Sequence, residues 1–102
     1  MNNLSMIKQA MELKSKLNKA QKELGKTIVE GQAGNGAVIA KANGQQKIIA
    51  ISISPEVINP EKPKELERLV LKAVEEALNK SQELAAKQMK EITGNINIPG
   101  LM

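Results

Sequence analysis

Lysine is the chemical resource of this sequence. Lys8, Lys14, Lys16, Lys19, Lys22 and Lys26 fall within the first 26 residues, against Glu12 and Glu23 alone. Residues 27–54 carry one net positive charge and residues 55–102 one net negative charge, so the formal excess of +4 belongs to the opening segment. Clustered ammonium groups neutralise a polyanion, and phosphate is the common one. Lys87 and Lys90, near the distal end of the last helical stretch, extend the candidate set. The same spacing also describes a merely solvated, lysine-rich helix face. Lysine is a point charge, and Arg68 is the only arginine, so the bidentate arginine–guanine contact is nearly absent. Any DNA binding would therefore rest on the phosphate backbone and read little sequence.

Other chemistries are poorly supplied. The chain has no Phe, Trp, Tyr, Cys or His. Without Cys and His the usual zinc and transition-metal ligands are missing, and so is Cys–His or Ser–His catalysis. Without aromatics there are no stacking platforms for single strands. Ala20–Thr27 (AQKELGKT) loosely matches a phosphate loop, but here a helix precedes and a strand follows, the reverse of what the loop needs. Gly31, Gly34 and Gly36 join two strands, so they are read as a flexible connector and not as a dinucleotide fingerprint. Asn3-Leu4-Ser5 and Asn79-Lys80-Ser81 match the glycosylation sequon, which is empty without a secretory signal. Glu75 and Glu76 are adjacent on a helix and diverge, a poor acid–base pair. The expectation is no enzyme, no cofactor, no metal and no small-molecule substrate. Apolar runs reach four residues at most, which gives no membrane span, and the expected compartment is the cytoplasm.

The positioning elements come from periodicity. Met6, Ala10, Leu13, Leu17, Ala20 and Leu24 are spaced 4, 3, 4, 3, 4, a heptad seam that predicts a helix over about residues 4–24. Leu4, Ile7 and Met11 widen it, and the methionines read as core gap-fillers. Strands are predicted at about 27–31, 37–43 and 47–54. Asn43-Gly44 marks a hairpin between the last two. A two-residue loop pairs Ala42 with Gln45 and a four-residue loop pairs it with Lys47. Either register sets Val38 on the face of Ile49 and Ile51, with Ile53 beside them. Pro60 and Pro63 bracket a helix start with Asn59 as a possible cap. A Gly- and Pro-free stretch then predicts a helix over about 64–93, with Leu66, Val70, Ala73, Ala77, Leu84 and Gln88 in one stripe and Val74, Leu78, Ser81, Ala85, Met89 and Ile92 in its neighbour. Residues 95–102 (NINIPGLM) form a short tail.

The fold class is therefore α+β: helix, three-stranded antiparallel sheet, long helix, in one domain over 1–102. Three short strands span about 20 Å, whereas the helices reach roughly 30 and 45 Å. Their seams overrun the sheet, and a second copy of the chain is the simplest cover.

Taken in order, several segments resemble the YbaB/EbfC family of small bacterial nucleoid-associated proteins over nearly the whole chain. They are Met6-Ile7-Lys8-Gln9-Ala10 with Leu17 and Gln21–Leu24; Val29-Glu30-Gly31 with Gly34-Asn35-Gly36; Asn43-Gly44; and Ile51–Val57. They continue in Leu66–Val70, Ala73–Leu78, Met89–Gly94 and Ile96–Leu101. The resemblance implies a homodimer shaped like tweezers, long helices projecting from a joined β core, and double-stranded DNA as partner in the cytoplasm without enzymatic activity. Ser54 stands where the family commonly has Asp, and Glu75 where it commonly has Asn. The expected function is a nucleoid-associated, duplex-binding protein that influences nucleoid organisation and gene expression. The alternative is a dimeric adaptor that binds another protein through its helical seams.

Overall fold

The structure is a computed structural model and describes residues 3–94. Helix α1 spans Asn3–Lys26, strands β1, β2 and β3 span Ile28–Ala33, Val38–Asn43 and Ile48–Ile53, a single 3-10 turn covers Pro55–Val57, and helix α2 runs Pro63–Gly94. The α+β class and the antiparallel sheet, in the order β1-β2-β3, agree with the sequence reading. The expected tail lies outside the described residues.

α2 lies across β1 and β2, and the interface between them is built from small residues. The buried apolar set is Leu24, Ala33, Val38, Ala40, Ala42, Leu69, Ala73 and Ala77. Alanine dominates because the layers approach closely. A Cβ on Gly31 would overlap the Ala73 carbonyl oxygen and the Ala77 nitrogen. No aromatic side chain fits such a gap. Gly31 is thus a strand residue under the helix and not connector. The strand continues to Ala33, which pairs with Val38, and the turn shrinks to Gly34–Ala37, closed by Ala37 N–H to Gly34 C=O at 3.2 Å. Gly34, Asn35 and Gly36 there all hold positive φ, which Gly and Asn tolerate best.

The β2–β3 hairpin has a third register. Asn43 N–H donates to Lys47 C=O at 2.9 Å, and Gln46 N–H to Asn43 C=O at 3.2 Å. The loop is therefore three residues long, with Gln46 at φ 65° in the left-handed position that such loops use. A bulge adjoins it: Lys41 pairs with Ala50 but Ala42 with Ile48, leaving Ile49 as the extra residue. Val38 then pairs with Ile53 and Ala40 with Ile51. Ile48 turns to the core side and packs there with Ile53. Ile49 and Ile51, expected in the core, are 50% and 45% exposed.

The methionines differ from expectation in the same way. Met6, Met11 and Met89 are exposed at 67%, 66% and 44%. Leu69, outside both predicted stripes, is buried. Asn59 does not cap α2. Its side-chain oxygen accepts from Glu61 N–H at 3.0 Å, shaping the turn before Pro63. The chain measures 73 × 24 × 17 Å with a radius of gyration of 19.6 Å. A compact chain of this length has about 13 Å, so the helices project as arms.

Candidate nucleic-acid interface

Each candidate lysine is exposed: Lys8, Lys14, Lys16, Lys19, Lys22 and Lys26 on α1, Lys87 and Lys90 on α2. What separates them is their face. Leu13, Leu17 and Ala20 are half-buried and Leu24 is buried, so the seam's C-terminal part faces the rest of the chain. At about 100° per residue, Lys8, Lys19, Lys22 and Lys26 point away from that seam. Met11, Lys14, Ser15, Asn18, Lys19 and Lys22 line one continuous shallow face without a carboxylate. Lys8 and Lys26 extend it to about 27 Å, roughly eight base-pair steps of duplex.

Lys16 stands elsewhere. It lines, with Lys19, Ala20, Glu23, Gln88, Glu91 and Ile92, the groove between α1 and the distal part of α2. Glu23 and Glu91 offset its charge there. Lys87 and Lys90 lie on α2 at the same level but do not line the groove. The structure therefore gathers Lys8, Lys14, Lys22 and Lys26 on one face, sets Lys19 at the border between that face and the groove, and leaves Lys16, Lys87 and Lys90 apart. Among the described residues the ion pair formed is Lys80–Glu76, at 3.4 Å, and it involves no lysine of α1.

The arm is aimed by its root. Gly44 N–H donates to Leu24 C=O at 2.7 Å and to Thr27 C=O at 3.0 Å. Gln45 Nε2 donates to Gln21 C=O at 2.7 Å. The hairpin loop thus satisfies the Leu24 carbonyl at the end of α1 and adds a bond to Gln21 one turn further in. A Cβ on Gly44 would sit 2.7 Å from the Leu24 carbonyl oxygen, so only glycine allows that approach. From the other side, Ser81 of α2 is fully buried. Its hydroxyl donates to Asn43 C=O at 2.6 Å and accepts from Gln46 N–H at 3.0 Å. The loop therefore clamps the C-terminal end of α1 to the middle of α2.

Sequence reasoning does not single out these positioning residues. Ser81 carries a signal, a lone hydroxyl inside an apolar stripe. Lys80 carries none: its Nζ donates to Glu30 C=O at 2.9 Å. The Ala20–Thr27 segment is helical through Lys26, and Thr27 Oγ1 donates to Glu23 C=O at 2.8 Å, so it cradles nothing. Glu75 is exposed and Glu76 is tied to Lys80. Ser54 makes no side-chain cap. Among the described residues no group of three or more potential metal ligands occurs, and no helix is long and apolar enough to cross a membrane.

Residues 1–96 match a family described as the YbaB/EbfC DNA-binding family. A nucleoid-associated protein of Caldanaerobacter subterraneus subsp. tengcongensis is 45% identical over 97 residues, covering 95% of this chain and 87% of that one. A nucleoid-associated protein of Chloroflexus aurantiacus is 40% identical over 96 residues, covering 94% and 96%. The crystal structure of an uncharacterized protein from Helicobacter pylori superposes with a TM-score of 0.70 over 93% of this chain and 96% of that one, at 17% identity, a likeness of fold.

Proposed function

The chain belongs to the YbaB/EbfC DNA-binding family, which is not an enzyme family, and on that footing we propose that it binds duplex DNA as a homodimer through phosphate contacts with little sequence preference. The observation that carries this reading is the carboxylate-free lysine face of α1. Lys14 and Lys22 share that face with no carboxylate among its lining residues, and a rod studded with point charges tracks a phosphate backbone without reading base edges. The working contacts are Lys8, Lys14, Lys19, Lys22 and Lys26, with Lys16, Lys87 and Lys90 secondary. The cytoplasmic nucleoid is the corresponding location, and an influence on gene expression would come from occupying DNA rather than from selecting a site.

Dimerisation is supported by where apolar bulk is placed. The buried positions hold mostly alanine, whereas Ile49, Ile51, Ile58 and Leu71 are exposed. A single domain over 1–102 that leaves Ile49 and Ile51 of its edge strand exposed is completed by a second copy. Two copies also double the basic surface.

A salt series of duplex binding tests the reading. With about six phosphates neutralised, log K is expected to fall against log salt with a slope near −5. Replacing Lys14, Lys16, Lys19 and Lys22 by Gln is expected to cost about 100-fold in affinity at moderate salt and to flatten the slope, with the solution mass unchanged. Salt-independent binding, or unchanged affinity in the variant, would reject the phosphate-contact reading.

A further inference from the structure

The outward face of α1 is not uniformly basic. Leu4 and Met11 lie opposite Leu13, Leu17, Ala20 and Leu24, and Ile7 stands beside them, all three within about 60° of one another. All are exposed, Leu4 at 84%. Lys8 and Lys14, three residues before and three after Met11, flank this patch at about 60° on either side. Glu12, the one acid of α1 before Glu23, stands about 100° round from Met11. Aliphatics at the centre of a basic face gain nothing from water or from phosphate, so the patch calls for a partner with apolar groups of its own.

The patch also sits on the part of α1 that projects. Leu24 lies at the level of Ser81, because the hairpin loop bonds to both, and Lys16 and Ala20 share a groove with Gln88 and Ile92. The two helices therefore run antiparallel, and Gly94, where α2 ends, falls near the level of Leu13. Residues 4–11 reach about 10 Å past Gly94 as a single helix. A single helix is about 10–12 Å across, which fits the major groove of DNA at about 12 Å and not the minor groove at about 6 Å. Resting on the duplex-binding reading above, we propose that this end of α1 enters the major groove, sets Leu4, Ile7 and Met11 against thymine methyl groups, and reaches phosphates on the two walls of the groove with Lys8 and Lys14. The lysines read no base. The patch makes affinity rise with thymine content without selecting a site.

Two considerations favour this occupant. A second copy of α1 would bring its own Lys8 and Lys14 against these, and like charges oppose that pairing, whereas a groove walled by phosphates complements them. A lipid interface holds a helix in proportion to its apolar area. Here that area covers about two turns, and the same face continues as Ser15, Asn18 and Lys22. Over those two turns the patch spans about three base-pair steps, enough for a few methyl contacts.

The test uses the full chain and two duplexes of one A·T-rich sequence, the first with thymine and the second with uracil in its place. Removing the methyl groups is expected to weaken binding about fivefold and to leave the salt slope unchanged. The combined variant Leu4→Ala, Ile7→Ala, Met11→Ala keeps every lysine and a good helix former at each position. It is expected to bind both duplexes equally, with the solution mass of the parent. Equal affinity of the parent for the two duplexes would overturn the proposal. If the slope then stays near −5, the phosphate-contact reading stands and the groove assignment alone falls, whereas no duplex binding at low salt removes both. A variant that still discriminates, or that loses the dimer, would overturn it as well. So would parent protein that ignores the methyl groups but binds phosphatidylglycerol vesicles more tightly than the variant, which would assign the patch to a membrane.

Discussion

Along β1, two backbone groups meet side chains of α2: Gln32 N–H donates to Glu76 Oε1 at 3.4 Å, and Glu30 C=O accepts from Lys80 Nζ at 2.9 Å. Gly31 between them lets the helix backbone rest on the strand. Along β3, at the opposite edge, pairing is with β2 alone among the described residues, and Ile49, Ala50, Ile51 and Ser52 are all exposed. A bare, apolar strand edge invites another chain, and proteins normally blunt such edges. Here one edge is blunted and the other is not. The difference teaches where the chain is self-sufficient: it finishes β1 from its own helix with small residues, and it leaves the large aliphatics of β3 uncovered, the feature on which the proposed dimer rests.

The largest expected effect comes from spoiling the closed edge. Gly31→Leu places a branched side chain where Ala73 and Ala77 backbone atoms already stand. Neither neighbour can rotate away, so α2 must lift off the sheet. The expected loss exceeds about 3 kcal/mol, the upper range for overpacking, and most of the fold goes with it. Urea denaturation followed by far-UV circular dichroism reads this. A midpoint near that of the parent would show that helix contact is not what closes β1.

The open edge predicts a different failure. Ile51→Lys puts a charge on a surface that is already wet in the single subunit, so the subunit should stay folded. It should lose the dimer instead. Burying one isoleucine side chain is worth about 1.5–3 kcal/mol, and a symmetric interface counts the change twice, so a weakening of the order of 100-fold or more is expected. Sedimentation over a concentration series separates the two masses. A dimer as tight as the parent would move the interface away from β3, and the contrast between the edges would lose its meaning.

Much of this architecture is legible in sequence. The 4, 3, 4, 3, 4 spacing places α1, the absence of Gly and Pro places α2, and Asn43-Gly44 places the hairpin. The register is not legible, because a left-handed Gln46 and a bulge at Ile49 are choices the tertiary structure makes. The bulge takes Ile49 out of the expected core, whereas Ile51 keeps its expected face, opposite Ala40, and is exposed because α2 covers β1 and β2 rather than β3. Gly31 escapes for a related reason. A glycine before a Gly-Asn-Gly run looks like connector, and the helix backbone that demands it lies more than forty residues further on. Charge placement picks out α1, but spacing alone does not sort Lys16 into the groove beside Glu23 and Glu91.

Between the two edges stands Ser81, which ties the hairpin of β2 and β3 to α2 although α2 hardly covers β3. Ser81→Ala leaves Asn43 C=O and Gln46 N–H without the hydroxyl, and the site is buried. The expected cost is about 1–3 kcal/mol. A readout at the α1 root sharpens the assignment: faster exchange at Gly44 and Thr27 would show the clamp loosening there, whereas a uniform loss would make Ser81 ordinary packing.

The smallest effect belongs to the stitches on β1. Glu76 and Lys80 are about half exposed, so water replaces what they offer and the pair is worth about 1 kcal/mol or less. Glu76→Ala with Lys80→Ala should therefore barely shift the urea midpoint. Its consequence lies in association. With both side chains gone, Gln32 N–H and Glu30 C=O face solvent on a second open edge, and a chain that closed one edge now closes none. Concentration-dependent species beyond the dimer, growing as the protein is concentrated, are the expected sign. If the double variant stays dimeric at every concentration, then Gly31 and the body of α2 shield β1 by bulk alone, and the two stitches only decorate an edge that the helix has already covered.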